Sequence, residues 1–157
     1  MTKSNLIAKR VQEVLLNGKW IANTNYKDQI ESTTWQQANG QVGDLNTVAM
    51  LTYHINYYLA GIINVFNGGP LEIRDQFSFD VPPIRSEKDW DALKTEFLNN
   101  AQEFVNHVKN MSDQNLHMVF VDEKYGTYLR NIEGVIEHSY YHLGQISLIK
   151  KLLKSSL

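Results

Sequence analysis

The chain contains no cysteine, and its formal net charge is only −2. The absence of cysteine excludes disulfides, thiolate metal ligands and a cysteine nucleophile. No broad basic field is present to attract nucleic acid or anionic lipid. No apolar run approaches the ~18 residues of a membrane span, and no apolar signal-peptide core follows Lys3. We therefore expect a soluble cytoplasmic protein that binds neither nucleic acid nor membrane.

The remaining composition is that of an ordinary globular protein. Apolar residues make up 43% of the chain and charged residues 20%. A length of 157 residues favours one domain with a substantial core over two small ones. No internal repeat, low-complexity tract or linker divides the chain, so residues 1–157 are expected to form a single domain.

Four segments have apolar residues at helical spacing. The predicted helices cover residues 3–24, 45–66 after an Asp44 N-cap, 87–111 after a Ser86 N-cap, and 128–154. Trp20, near the end of the first helix, is expected in the core. Residues 25–43 are predicted to be a loop, and the segments 71–85 and 112–127 could each contain a short strand.

Four helices of about 20 residues joined by three long loops predict an all-α four-helix bundle. The connection between the second and third helices has about 19 residues, and extended chain covers about 3.3 Å per residue. It could therefore cross the whole bundle and leave the two middle helices parallel. The spacing alone does not decide between this topology and an alternating one.

The last predicted helix contains two histidines four residues apart, His138 and His142. Each helical residue turns the chain by about 100°, so both side chains project from one stripe with Cβ atoms roughly 5–6 Å apart. Two imidazoles at that separation can reach one metal ion, because metal–nitrogen bonds are about 2.0–2.1 Å long. On the second helix, His54 lies about 60° from Leu51 of the apolar stripe and should also point inward.

The spacing by itself supports two interpretations about equally. The three histidines either bind a metal or are hydrogen-bonded core residues. The order Glu137-His138 is not the His-Glu-x-x-His motif of metalloproteases, and the paired Glu-x-x-His motifs of di-iron bundles are absent. Gly134, one turn before His138, leaves room either for a substrate or for a close helix neighbour. His107 and His117 are interpreted as surface residues.

The arrangement of these histidines resembles that of the DinB-like (DinB/YfiT-like) superfamily. The matching residues are His54 on the second helix and residues 137–146, EHSYYHLGQI, on the fourth. Residues 128–134, YLRNIEG, also resemble the family's entry into that helix. The likeness covers essentially the whole chain in helix order and spacing, and its specific part is the C-terminal third.

The resemblance implies a four-helix bundle with a left-handed up-down-down-up topology and one divalent metal ion on His54, His138 and His142. Characterised relatives include S-transferases that use bacillithiol, mycothiol or glutathione, and a thiol-dependent isomerase. The leading hypothesis is therefore a metal-dependent thiol S-transferase or hydrolase that acts on small molecules, with a low-molecular-weight thiol as a possible partner. The alternative is a non-catalytic, stress-related module that binds a metal or a small molecule.

Several polar residues near the histidines are candidates for contacting a substrate or supporting the metal ligands. They are Tyr57, Tyr58, Asn131, Tyr141 and Gln145. Packing explains Tyr58 and Tyr141 nearly as well. Three imidazoles suit Zn, Ni, Fe and Cu alike, so the metal is not identified. A homodimer is expected, and the lysines at positions 150, 151 and 154 are interpreted as a solvated helix end.

Overall fold

The computed structural model describes residues 1–155, and the regular structure in that range is helical. The helices are α1 (Lys3–Gln12), α2 (Tyr26–Glu31), α3 (Trp35–Ala38), α4 (Val48–Phe66), α5 (Glu87–Asn110), α6 (Asp113–His117) and α7 (Tyr128–Ser155). A π-helical turn, Glu13–Asn17, continues α1, and 3₁₀ turns occupy Asp75–Phe77 and Glu123–Tyr125. No helix in the described range is both long and apolar enough to cross a bilayer.

The long helices begin at side-chain caps. Ser86 caps α5 as predicted, because its hydroxyl accepts a hydrogen bond from the Asp89 backbone N–H. The cap of α4 is Thr47, whose hydroxyl accepts from the Met50 N–H, so the prediction of Asp44 was wrong. Asp44 lies three residues too early for its carboxylate to reach the exposed N–H groups of α4.

The predicted apolar seam of α5 faces the core. Trp90, Leu93, Phe97, Ala101, Phe104 and Val108 are all buried, whereas Met111, at the C-cap, is half-buried. The stripe of α4 is likewise buried at Leu51, Ile55, Ile62 and Val65, whereas Tyr58 is half-buried. The 3.6-residue period therefore identified the buried faces of both helices correctly.

The long helices α5 and α7 each pack against both α1 and α4. Contacts between α4 and α5 advance in the same direction, because Asn56 binds Asn100 and Phe66 packs on Phe104. Those two helices therefore run parallel.

Contacts between α4 and α7 advance in opposite directions along the two helices. His54 contacts His138, and Phe66, later in α4, contacts Tyr128, which is earlier in α7. These two helices run antiparallel.

The first predicted helix was too long. Helical structure ends at Asn17, and Gly18 adopts an extended backbone (φ −93°, ψ 154°) whose carbonyl accepts a hydrogen bond from the Asn25 side chain. Trp20 lies in the turn that follows and is 89% exposed, so its prediction as a core residue was wrong. The apolar period continued through Ile21, but a glycine that leaves helical geometry ends the helix whatever follows it.

The segment 25–43, predicted to be a loop, contains α2 and α3. Asn25 caps α2 through its side-chain oxygen, and Thr34 and Gln37 form a reciprocal capping box at α3. The buried Tyr26 hydroxyl donates a 2.7 Å hydrogen bond to the Ser139 carbonyl of α7. The polar residues of this segment thus begin short helices.

No β-strand occurs in residues 1–155. The segment 71–85 contains the 3₁₀ turn, and the segment 112–127 contains α6 and only an isolated bridge between Val119 and Thr127. The alternation of Phe77, Ser78 and Phe79 does not pair with another strand. Instead, the Ser78 carbonyl and the Phe79 ring both contact His54.

The Lys150 side chain is not part of a solvated helix end. Its ammonium donates hydrogen bonds to the Gln29 carbonyl (2.9 Å) and to the Ser32 hydroxyl (2.7 Å), and so caps the C-terminus of α2. We expect Lys150→Met to lower the free energy of unfolding by about 1 kcal/mol, because the Gln29 carbonyl loses its charged donor and keeps only the hydroxyl donors of Ser32 and Thr33. Urea denaturation followed by circular dichroism measures this. The matched Lys151→Met, at an exposed position, should change stability by less than about 0.5 kcal/mol; equal losses would contradict the cap.

Candidate metal centre

The structure brings the three predicted ligands together. One nitrogen each from His54, His138 and His142 lies within 4.8 Å of the others. His54 comes from the middle of α4, and the other two come from successive turns of α7. His54 and His142 are buried at 6% and 7% exposure, and His138 is half-buried.

The nitrogens that face one another are the Nε2 atoms. His138 Nε2 lies 3.1 Å from His54 Nε2 and 2.9 Å from His142 Nε2. Two nitrogens bound at adjacent positions of one ion, with bonds of 2.0–2.1 Å, are about 2.9–3.4 Å apart. Both distances from His138 Nε2 therefore match those between ligands on one ion.

The outer nitrogens of two rings are held by acceptors. His54 Nδ1 lies 3.2 Å from the Ser78 carbonyl oxygen, and His142 Nδ1 lies 2.7 Å from Gln145 Oε1. A carbonyl can only accept, so each Nδ1 carries the proton and each Nε2 presents its lone pair to the cluster. Metal-binding histidines are commonly oriented by such a bond from the other ring nitrogen.

These tautomers leave one contact unsatisfied within the protein. His138 Nε2 lies beside two lone pairs and carries at most one hydrogen, which it can donate to one neighbour at a time. The other contact then brings two lone pairs to about 3 Å, which is repulsive. A cation between the rings would turn both contacts into ligand–ligand distances, so the residues present fit a divalent metal ion.

The cluster favours the neutral imidazoles that a metal requires. Burial, together with the neighbouring His142, lowers the pKa of His54 and of His138 to about 4. Burial also lowers the pKa of His142. A neutral imidazole can offer a ring nitrogen to a metal without first losing its second proton to solvent.

Two half-buried aromatic rings pack against His54 and His138. Phe79 stacks on the His54 ring with centroids 4.0 Å apart. Tyr58 packs edge-on against His54 and His138, at 5.1 Å and 5.4 Å. The Tyr58 hydroxyl donates to Asp75 Oδ1 at 2.6 Å, and burial together with this bond raises its pKa to about 12. Tyr58 therefore packs against two of the candidate ligands and keeps its proton.

The other candidate residues have different positions. Gln145 holds His142, as described above. Tyr57 is tied to the backbone of Arg74, since its hydroxyl donates to the Arg74 carbonyl and accepts from the Arg74 N–H. Asn131 donates to the carbonyls of Tyr125 and Thr127. Tyr141 is 66% exposed and reaches the centre only through an edge contact with His142, 4.9 Å between centroids.

A cleft of about 390 Å³ opens beside His138. Its walls come from Tyr58 and Ile62 of α4, from Lys124 and Tyr125 of the preceding loop, and from α7 between Arg130 and His138. Among residues 1–155, no fourth His, Asp or Glu joins the three histidines. Three protein ligands are typical of catalytic sites, which keep a position for water or substrate.

No protein-family model, curated protein or solved structure matches this chain. The three histidines and the adjoining cleft are thus the basis for a functional proposal.

Sequence reasoning missed three residues of the centre, namely Asp75, Ser78 and Phe79. They lie in the connection between α4 and α5, 21 to 25 residues after His54. The available signal was the alternation around Ser78, which is typical of a strand and says nothing about a contact with a histidine. Their role depends on the path of the connection across the helices.

The lowered pKa values predict how the stability of the metal-free protein depends on pH. Above pH 6.5 the histidines are neutral both folded and unfolded. As the pH falls from 6.5 to about 4, these histidines bind protons in the unfolded chain but stay neutral in the folded protein. The free energy of unfolding therefore decreases. Urea denaturation of EDTA-treated protein at pH 7 and pH 5 tests this.

The control for this pH dependence is His138→Asn, which removes one titrating group and eases the crowding of the others. Its loss of stability between pH 7 and pH 5 should be smaller than that of the wild type. Identical losses in the two proteins would show that other groups cause the pH dependence.

Proposed function

We propose that this protein is a divalent-metal-dependent enzyme, a thiol S-transferase or a hydrolase, that acts on small molecules at the three-histidine centre. The observation that carries the proposal is the convergence of three neutral Nε2 atoms at 2.9 and 3.1 Å beside an open cleft. When bound there, a divalent ion supplies Lewis-acid chemistry and lowers the pKa of a water molecule or thiol that reaches it. Three neutral ligands would leave the charge of that ion undiminished.

The residues of the chain contribute orientation and exclusion of water. The Ser78 carbonyl and the Gln145 amide fix the tautomers of His54 and His142. Phe79 and Tyr58 cover two of the rings. Of the three histidines, His138 is the one that lines the cleft. A small molecule in the cleft would therefore approach the centre from the His138 side.

The cleft favours catalysis over the non-catalytic alternative. A purely structural or storage site would be closed by a fourth ligand, and no such ligand is present among residues 1–155. The cleft also has polar groups from both α4 and α7, as a substrate site requires.

We further propose an up-down-down-up four-helix bundle and membership of the DinB-like superfamily. The parallel α4 and α5, the antiparallel α4 and α7, and the contact of Arg10 in α1 with Glu133 in α7 support this topology. The ligand order along the chain supports the family. A homodimer and a cytoplasmic location stay predictions from the sequence.

The test begins with metal content by mass spectrometry on untagged protein. We expect about one equivalent of a divalent ion, removed by chelation. Conjugation of bacillithiol, mycothiol or glutathione to 1-chloro-2,4-dinitrobenzene, and hydrolysis of p-nitrophenyl acetate, would then be compared before and after chelation. Folded protein that contains no metal and does not bind added Zn²⁺ or Ni²⁺ would overturn the proposal. Metal without activity on any of these probes would favour the binding module.

A further inference from the structure

The cleft beside His138 has an uneven charge. Two of its lining residues, Lys124 and Arg130, are cations, and none of them is a carboxylate. Ile62 and Val135 provide apolar lining in the same cleft. A cleft that combines cations, apolar side chains and a candidate metal ligand suits a ligand that carries a negative group besides its reactive group.

The Arg130 guanidinium is placed close to the centre. Its Nη1 lies 3.3 Å from Glu137 Oε2, so the side chain extends along α7 in the direction of His138. The same nitrogen is 3.8 Å from the position that a Cβ of Gly134 would occupy. Gly134 precedes His138 by one turn, about 6 Å along the helix axis.

The partners of the two cations can be exchanged for a ligand. Both side chains of the Arg130–Glu137 pair are more than half exposed, at 58% and 63%, and such exposed pairs contribute little to stability. Lys124 lies over the Tyr125 ring with its ammonium 5.0 Å from the ring centroid, an arrangement that leaves its N–H donors free. The nearby Asp75 carboxylate already accepts the Tyr58 hydroxyl.

We propose that this cleft is the substrate subsite and that it selects small organic anions, with a carboxylate held by Arg130 and Lys124 and the reactive end at the His138 side. Arg130 presents a planar fork that matches a carboxylate. Gly134 keeps the path between the two ends open. The inference rests on the proposed metal-dependent function, because the reactive end needs the metal.

The experiment uses protein loaded with Co²⁺, in which binding of a thiol changes the visible absorption spectrum. The probes are 3-mercaptopropionate and its neutral isostere 3-mercaptopropionamide. In both probes two methylene groups separate the sulfur from the carboxylate or amide. We expect wild-type protein to bind the acid about tenfold more tightly than the amide, which corresponds to two partly exposed charge contacts.

Variants of the charged residues test the recognition of the anion. Arg130→Gln and Lys124→Gln should each weaken binding of the acid about three- to fivefold and leave binding of the amide unchanged. Glu137→Gln removes the competing carboxylate and should strengthen binding of the acid about two- to threefold. An acid-to-amide preference near one, unaffected by all three variants, would overturn the inference.

Two glycines of α7 supply a matched steric pair. Gly134→Leu should fill the cleft and weaken both probes more than about tenfold, whereas Gly144→Leu, where an added Cβ meets nothing within 4 Å, should change neither. Equal effects of the two substitutions would place the ligand elsewhere. If no protein in the set binds Co²⁺, the proposed function fails first; if Co²⁺ binds and the two probes stay equivalent in every variant, only the anion subsite fails.

Discussion

Replacing His138 with alanine should lower the affinity for Zn²⁺ by more than about 100-fold. Loss of a residue that merely orients a ligand typically costs 10–100-fold, and His138 is itself the central donor. Its Nε2 is the atom in contact with both other histidines. The two that remain lie on different helices, and two histidines alone rarely hold a metal firmly. Competition against a chromophoric chelator gives the affinity, and mass spectrometry of the purified variant gives the stoichiometry.

Two further variants bracket this result. Gln145→Leu should lower Zn²⁺ affinity by about 10–100-fold, because His142 keeps its donor atom but loses the partner that fixes its tautomer. His107→Ala should have no effect, since His107 lies on α5 and is paired with Glu103. Stoichiometric metal in His138→Ala, or equal losses in His138→Ala and His107→Ala, would contradict the three-histidine centre.

The convergence of the three histidines could be predicted from the sequence because helical spacing is rigid. A separation of four residues fixes the mutual position of His138 and His142. The helical angle of about 60° between His54 and Leu51 was enough to predict that His54 points inward. Their Nδ1 partners divide in the same way. Gln145 lies three residues from His142 on one helix face, whereas Ser78 is reached only through a connection whose path no periodicity encodes.

The buried faces of the long helices were likewise accessible to sequence reasoning, and their ends were less so. Burial follows from a pattern repeated over many residues, so one ambiguous residue changes little. A helix end depends on one or two residues, and apolar side chains such as Trp20 and Ile21 continue the pattern past it. The capping box at Thr34 and Gln37 was a usable signal, but the surrounding Asn, Gln and Thr residues are equally typical of a loop.

Trp90→Ala should be among the most destabilising single substitutions in the chain, with a loss of about 3–5 kcal/mol in the free energy of unfolding. The Trp90 side chain is fully buried, so its removal leaves a large cavity at the start of α5. Its Nε1–H also donates a 2.8 Å hydrogen bond to the Thr33 carbonyl, which ties α5 to the segment that follows α2. Against a total of about 5–15 kcal/mol, such a loss brings the protein close to unfolding at physiological temperature.

Two substitutions separate the causes of this loss. Trp90→Phe keeps most of the buried apolar surface but leaves the Thr33 carbonyl without its donor, so we expect it to cost about 1–3 kcal/mol. Trp20→Ala, at a side chain that is 89% exposed, should change stability by less than about 0.5 kcal/mol. Urea denaturation followed by far-UV circular dichroism compares the three variants without relying on tryptophan fluorescence. If Trp20→Ala destabilised the protein as much as Trp90→Ala, the exposed turn after Gly18 would have to be packed against another surface in solution.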